Sequence, residues 1–260
     1  MSPAHVATAA FRADQVDEII EFFGAYGFAR IAGVYTDAEL DALQMDMERC
    51  QSELLAGLLP KRCGTVVLDD PDATVDGEPF AHYVCHCTEV STIADRCAHA
   101  PVITEVIGRL LGAHAWLLDF ERFGVVYQDA RPGRESGYSR IGWHTDRQSG
   151  PHLDVWPSVA FTIHLDGTSP ANGFLRVLPG SHRGGTDGMP LGFEKVPGEI
   201  ALYCDHGDVL FHDADLWHSA ARATEDPPGG VRRHIRGGWY AGTRLAEGHG
   251  VEDFVKNAAR

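Results

Sequence analysis

Residues 159–165 read Val-Ala-Phe-Thr-Ile-His-Leu, and every second residue of this stretch is a large apolar one. Successive side chains of a β-strand point to opposite faces, so the alternation predicts a strand with one buried face. Similar apolar or alternating runs, separated by Gly, Pro, Asn and Asp, occupy residues 116–120, 123–127, 174–178, 199–203, 208–211 and 234–240. This series of short strands predicts a β-barrel or a β-sandwich.

The first part of the chain carries a helical pattern. Apolar residues recur at helical spacing in residues 16–23 and 101–111, and Thr36 is a candidate N-cap for another helix, with a short strand predicted at 28–31. Helices followed by strands predict an α+β fold with a mainly β core, in which the helices pack outside an antiparallel sheet. We expect one domain over residues 1–260, helical to about residue 115 and β from about 116 to 245.

Two stretches, 129–139 and 224–230, are rich in Gly, Pro and charged residues and are predicted to be mobile loops. They separate predicted strands in the second half of the chain. Because substrate specificity depends on such loops, the sequence alone does not identify a substrate.

Composition excludes several classes of partner. The chain has 37 acidic and 22 basic residues, a net charge of −15 that would repel a nucleic-acid backbone. Its 6 cysteines form no C-x-x-C pair, and neither an apolar signal core nor a stretch long enough to cross a membrane is present. We therefore expect a soluble, cytoplasmic protein without nucleic-acid or membrane partners; the oligomeric state is not predicted.

A candidate metal site begins at His144-Thr145-Asp146, where an imidazole and a carboxylate two residues apart share one face of extended backbone. A further ligand could come from His212 or His218, which follow a predicted strand much later in the chain. Two imidazoles and one carboxylate are typical of oxygen-activating iron(II), whereas zinc more often has four ligands and calcium or magnesium prefers oxygens. Donor type alone favours iron but does not exclude the other metals.

Residues 82–87, His-Tyr-Val-Cys-His-Cys, could suggest zinc. On a strand, however, Cys85 and Cys87 would point away from His86, which leaves too few convergent ligands. A zinc site there is disfavoured.

The segments between and around the candidate ligands closely resemble the phytanoyl-CoA dioxygenase family of 2-oxoglutarate-dependent oxygenases. The resembling blocks, in family order, are Trp143-His144-Thr145-Asp146, the strand and acidic turn at 159–166, the N-G-x-L and P-G-S-H segments at 172–182, and Gly207-Asp208 leading to Phe211-His212. Gly27-Phe28 and Gly33 are similar to the family's opening segment. The resemblance implies a double-stranded β-helix (jelly roll, cupin-like), with His144, Asp146 and His218 as iron ligands and His212 as a wall residue.

The resemblance also implies iron(II), 2-oxoglutarate and dioxygen as cofactor and cosubstrates. In the family, an arginine that often lies seven residues before an aromatic residue binds the distal carboxylate of 2-oxoglutarate. That spacing selects Arg233 if the aromatic is Tyr240 and Arg232 if it is Trp239, and Arg233 is the first choice. Further cosubstrate contacts are expected from Thr162, Tyr127 and Gln128.

The expected activity is oxidation of a small organic substrate, with hydroxylation as the default outcome. Epimerisation, ring closure or desaturation would use the same cofactors. The pattern following His144 is similar to that of polyketide-modifying members, which suggests a step in bacterial natural-product biosynthesis. An alternative from another class is a cupin-like module that binds a metal or ligand without turnover, and a third is a redox-neutral isomerase or hydrolase.

Overall fold

A computed structural model of the chain describes residues 3–64, 74–75, 78–119, 124–131, 141–221 and 231–245. The helices are α1 (Pro3–Thr8), α2 (Val16–Tyr26), α3 (Asp37–Leu55), α4 (Cys87–Val90), α5 (Thr92–Ala98) and α6 (Pro101–Leu111). The strands are β1 (Phe11–Arg12), β2 (Phe28–Ala32), β3 (Thr74–Val75), β4 (Glu78–Pro79), β5 (Tyr83–Cys85), β6 (Trp116–Leu117), β7 (Val126–Ala130), β8 (Ile141–His144), β9 (Ser158–His164), β10 (Phe174–Val177), β11 (Ile200–Leu202), β12 (Val209–Asp213), β13 (His218–Ala221) and β14 (Arg232–Tyr240).

The strands form two main sheets. The large sheet has 8 strands in the order β1-β2-β12-β9-β14-β7-β5, with β6 paired to β14, and the small sheet has 4 in the order β11-β10-β13-β8. All pairings within them are antiparallel except that of β1 with β2. The two sheets meet at one end, where His212 of the large sheet contacts two residues of the candidate metal group. These are His218, in β13 of the small sheet, and Asp146, which follows β8 of the small sheet. The predicted α+β jelly roll is confirmed.

The main hydrophobic core lies between the helices and the outer face of the large sheet. One row of directly paired residues crosses this face from strand to strand and is fully buried: Val84, Tyr127, Ile235, Ile163, Val209 and Ile31. Helices α2, α3 and α6 cover the row with residues such as Phe22, Leu43 and Ile103. The large apolar residues of the alternating stretch 159–165 thus face the helices, and Ala160, Thr162 and His164 face the inner side of the sheet.

Helix boundaries follow local chemistry. The hydroxyl of Thr36 accepts a bond from the N–H of Glu39, whose carboxylate accepts one from the N–H of Thr36, so a capping box starts α3 where the sequence predicts it. Gly27 ends α2 with φ +81, where a Cβ would come within 2.6 Å of His182. Gly27 therefore joins α2 to β2 with a turn that other residues would strain.

Most of the two predicted loops lies outside the described residues, but residues 129 and 130 belong to β7, so that part of the loop prediction is wrong. The strand extends because Asp129 and Ala130 pair with β14. Strand β8, which carries the first candidate ligand, was not predicted as a separate strand. Where the chain is described, the helices are all too short or too polar to cross a membrane.

Candidate metal centre

Two histidines face each other where strands of the small sheet pair. His144 ends β8 and His218 begins β13, and the register of these antiparallel strands makes the two residues direct partners. Their ring centroids lie 4.1 Å apart. Two imidazoles distant in sequence are therefore positioned side by side by backbone pairing.

Backbone carbonyls fix the orientation of both rings. The Nδ1 atom of His144 lies 2.8 Å from the carbonyl oxygen of Gly142, and that of His218 lies 2.9 Å from the carbonyl oxygen of Leu216. A carbonyl only accepts, so Nδ1 of each ring carries a hydrogen, and in the neutral form of such an imidazole Nε2 keeps its lone pair. Burial lowers the pKa of His218 to about 3, which keeps its imidazole neutral. Both rings therefore present a nitrogen that can bind a metal ion.

Asp146 completes the group. It opens the 3-10 turn Asp146–Ser149 directly after β8, and its Oδ1 lies 4.0 Å from Nε2 of His144 and 3.6 Å from Nε2 of His218. One donor atom from each of the three residues lies within 4.8 Å of the others. Burial alone would raise the pKa of Asp146, but the neighbouring His218 and a hydrogen bond from His212 outweigh it and hold the pKa below its usual range. Asp146 is thus ionised.

The turn between β12 and β13 is bonded to the turn that starts at Asp146. Arg147 forms two hydrogen bonds with the carboxylate of Asp215, at 2.6 and 2.7 Å, and its backbone N–H donates to the carbonyl of Ala214. The carboxylate of Asp213 accepts the backbone N–H of Asp215 within the turn. The acidic residues before His218 are therefore used in turn formation and ion pairing.

The donor set fits iron(II). Two imidazole nitrogens and one carboxylate oxygen converge, and a set of three protein donors leaves coordination positions for other molecules. Within the described part of the chain this is the one cluster of at least three His, Cys, Asp or Glu with convergent donor atoms. In the disfavoured zinc segment, His82 instead lies beside the carbonyl of Asp129, and His86 beside the carboxylate of Glu89.

Comparison with known proteins agrees with this donor set. The sequence model described as phytanoyl-CoA dioxygenase (PhyH) matches residues 23–227. The chain belongs to the phytanoyl-CoA dioxygenase family. It is accordingly an oxidoreductase of the iron- and 2-oxoglutarate-dependent class. None of the curated protein sequences matches it.

Solved structures share the family fold. The "non-heme alpha ketoglutarate dependent carbocyclase SnoK from nogalamycin biosynthesis" is 19% identical to this chain with a TM-score of 0.66, over 89% of this chain and 87% of that chain. The epimerase SnoN, also from nogalamycin biosynthesis, is 17% identical with a TM-score of 0.64, over 87% of this chain and 83% of that one. EctD from S. alaskensis, crystallised with 2-oxoglutarate and 5-hydroxyectoine, is 18% identical with a TM-score of 0.64, over 93% and 81%. At these identities the likeness shows the fold.

The inner face of the large sheet carries His212, which contacts the metal group. Starting from His212, paired residues form successive rows on this face: Gly238, Ala160 and His212; then Arg236, Thr162 and Leu210; then Tyr83, Gln128, His234 and His164; then Arg232 with Ala130. The predicted contacts Thr162, Gln128 and Arg232 share this face.

Arg233 points the other way. Its guanidinium binds the carboxylate of Asp166 at 2.8 and 2.9 Å and lies 3.3 Å from Glu48 of α3. This orientation contradicts the choice of Arg233 over Arg232 as the cosubstrate anchor. Tyr127 was also misplaced, because it packs in the helix-side core. Neighbouring residues of a strand point to opposite faces. Arg232 rather than Arg233, and Gln128 rather than Tyr127, therefore lies on the inner face.

Arg232 is a buried cation with no counter-charge beside it in the part of the chain that the structure describes. It is 7% exposed, and its Nε atom has no hydrogen-bond partner among the described residues. Burial lowers its pKa to about 10, so it remains charged at neutral pH. A buried charge is costly unless it is paired, and the inner face therefore favours an anionic ligand beside Arg232.

Two further buried histidines, His164 and His234, lie on the same face and were not selected from the sequence. Both ring nitrogens of His164 lack partners among the described residues. Burial, followed by the neighbouring Arg232, lowers the pKa of His164 from 6.5 to about 3. The sequence signal for them was their position in the predicted strands at 159–165 and 234–240. Even-numbered residues of β9 face inward, and His164 pairs directly with His234.

We expect His164 to make the ligand-free protein sensitive to acid. The unfolded chain binds a proton at this site below pH 6.5 and the folded chain only near pH 3, so the stabilisation present above pH 6.5 is lost as pH falls toward 3. At pH 5.5 one such group lowers the free energy of unfolding by about 1.4 kcal/mol. Urea unfolding at pH 7.5 and 5.5 measures it, and His164→Leu should reduce the pH-dependent loss by about 1 kcal/mol. An unchanged loss in the variant would show that His164 does not cause it.

Proposed function

We propose that the protein is an iron(II)- and 2-oxoglutarate-dependent dioxygenase that oxidises, and by default hydroxylates, a small organic substrate. The observation that carries the proposal is the convergence of His144, Asp146 and His218, whose donor atoms lie within 4.8 Å of one another. The buried Arg232 on the adjoining inner face supports it, because it supplies a site for a carboxylate. A metal-binding module without turnover has no need for such a cation.

In this proposal His144, Asp146 and His218 hold the iron. The bound iron would supply activation of dioxygen at the expense of 2-oxoglutarate. Arg232 binds the distal carboxylate of 2-oxoglutarate through charge-assisted hydrogen bonds, which a planar guanidinium can form in pairs. Thr162 and Gln128, which occupy the rows between His212 and Arg232, line the path of the cosubstrate. The carboxylate of Asp146 occupies the place that would have to accommodate a halide in a halogenating relative, so transfer of oxygen is favoured.

Aromatic residues beside the metal turn favour a substrate with an apolar or ring-shaped surface. The guanidinium of Arg147, next to Asp146, lies 5.1 Å from the ring of Trp156. Trp156 in turn packs against Tyr240 at 5.6 Å, and Tyr240 stacks on Trp116 at 5.1 Å. Such contacts suit a polyketide-like substrate. The carbocyclase SnoK and the epimerase SnoN, both from nogalamycin biosynthesis, agree with a role in natural-product tailoring.

The first test is a coupled assay on iron-loaded protein. We expect succinate to form from 2-oxoglutarate only when dioxygen is present, and to form faster with an aromatic polyketide substrate than without it. Succinate is measured by chromatography, and the oxidised product by mass spectrometry, which separates hydroxylation from epimerisation, ring closure and desaturation. Substrate conversion without dioxygen would instead support a redox-neutral isomerase or hydrolase, and binding without succinate formation would support a cupin-like module.

A further inference from the structure

His212 contacts the metal group from the opposite sheet. It lies on β12 of the large sheet, and its Nε2 is 3.0 Å from Oδ2 of Asp146. Its ring centroid lies 4.5 Å from that of His218. The imidazole therefore touches the side of the carboxylate that is not directed at the two facing histidines.

The direction of this hydrogen bond follows from the chemistry of the partners. An ionised carboxylate only accepts hydrogen bonds, so Nε2 of His212 carries the hydrogen and donates it to Oδ2. A nitrogen that carries a hydrogen has no lone pair for a metal ion. The other nitrogen, Nδ1, is buried and has no partner among the described residues. His212 thus differs from His144 and His218, whose hydrogen-bearing nitrogens point at backbone carbonyls.

The two oxygens of Asp146 consequently have different partners. Oδ1 lies 3.6 Å from Nε2 of His218 and belongs to the space between the two imidazoles, whereas Oδ2 is occupied by His212. A hydrogen bond to a carboxylate oxygen reduces its capacity to bind a cation and fixes the rotation of the group.

We propose that His212 is a positioning residue that restricts Asp146 to one metal-binding oxygen. The inference rests on the proposed function. On a six-coordinate iron(II) ion, two imidazoles and one carboxylate oxygen would take three positions and 2-oxoglutarate two more, which would leave one for dioxygen. If Oδ2 were free to bind as well, that last position would be taken. His212 therefore keeps the dioxygen position available.

Nitric oxide tests this inference without turnover, because it would bind to iron(II) at the position that dioxygen would take and give an electron paramagnetic resonance signal. We compare wild-type protein, His212→Leu, which lacks the donor, and His212→Gln, whose amide can replace it. Each is loaded anaerobically with iron and 2-oxoglutarate before titration. We expect His212→Leu to keep both but to bind nitric oxide at least about tenfold more weakly per iron, and His212→Gln to restore most of the affinity.

Three results would overturn the inference. Nitric oxide could bind to His212→Leu as in wild type; both variants could lose iron, which would make His212 a ligand; or His212→Leu alone could lose iron, which would mean that the bond retains Asp146 rather than limiting it. Failure of the proposed function looks different, because wild-type protein would then bind no 2-oxoglutarate at the iron. Should His212→Leu not fold, a crystal structure of iron-loaded wild type decides the matter: both Asp146 oxygens on the metal would refute the inference.

Discussion

Asp146→Ala should lower iron(II) affinity by more than about 100-fold and abolish coupled succinate formation. Residues that only hydrogen-bond to a metal ligand typically contribute about 10- to 100-fold to metal affinity. Asp146 is itself a donor, and it is the one carboxylate of the metal group, so its loss should cost more. The fold should survive, because the Asp146 side chain is 34% exposed and water can replace it as the acceptor for His212. Anaerobic iron titration measures the affinity, and thermal melting of the metal-free protein checks the fold.

His114→Ala is the matched control, since this exposed histidine follows α6 and belongs to no metal group in the described chain. It should bind iron and form succinate as wild type does. His218→Ala should behave like Asp146→Ala. Near-normal iron affinity in either of the latter two variants would refute the ligand assignment.

Arg232→Ala should weaken 2-oxoglutarate binding by more than about 100-fold, while iron affinity stays within about threefold of wild type. Loss of one partner from a desolvated ion pair costs on the order of 3–5 kcal/mol, and each factor of ten corresponds to about 1.4 kcal/mol. Without cosubstrate the variant should be no less stable than wild type, because Arg232 is buried without a carboxylate partner among the described residues. Titration of 2-oxoglutarate into anaerobic iron-loaded protein, followed by the visible absorption of the chelate, measures the loss.

Arg233→Ala is the control from the next position on the strand. It removes the ion pair with Asp166 on the helix side, so we expect lower stability but cosubstrate affinity within about threefold of wild type. Arg236 shares the inner face and lies one row from His212. If Arg236→Ala rather than Arg232→Ala abolished cosubstrate binding, the anchor would be the arginine nearer the metal turn.

The fold and the metal group were predictable because their signals are local or strongly patterned. Alternation in residues 159–165 identifies a strand with one buried face, and the His144-Thr145-Asp146 segment places two donors on one short stretch. His218 needed the family resemblance, since His212 was an equal candidate from spacing. The structure separates them by hydrogen bonding: His218 bonds to a carbonyl and His212 to Asp146.

The face of β14 was harder, because shifting a strand by one residue exchanges its inner and outer sides. Adjacent Arg232 and Arg233 look equivalent to a spacing rule. A signal was nevertheless present: Ile235 and Trp239 are apolar residues of the helix-side core, and Arg233 shares their odd-numbered face. The bond between His212 and Asp146 left no sequence signal, since it joins residues 66 positions apart through tertiary folding.

The direct pairing of His144 with His218 makes metal affinity depend on how the chain folds. Strands β8 and β13 are far apart in sequence, and closing the intervening segment costs conformational entropy before any ligand pair exists. A partly folded chain, or one in which these strands pair one residue out of step, would present the two imidazoles to different sides. High-affinity iron uptake should therefore arise late in folding, when the small sheet has reached its native alignment, and nascent or misfolded chains would not retain the metal.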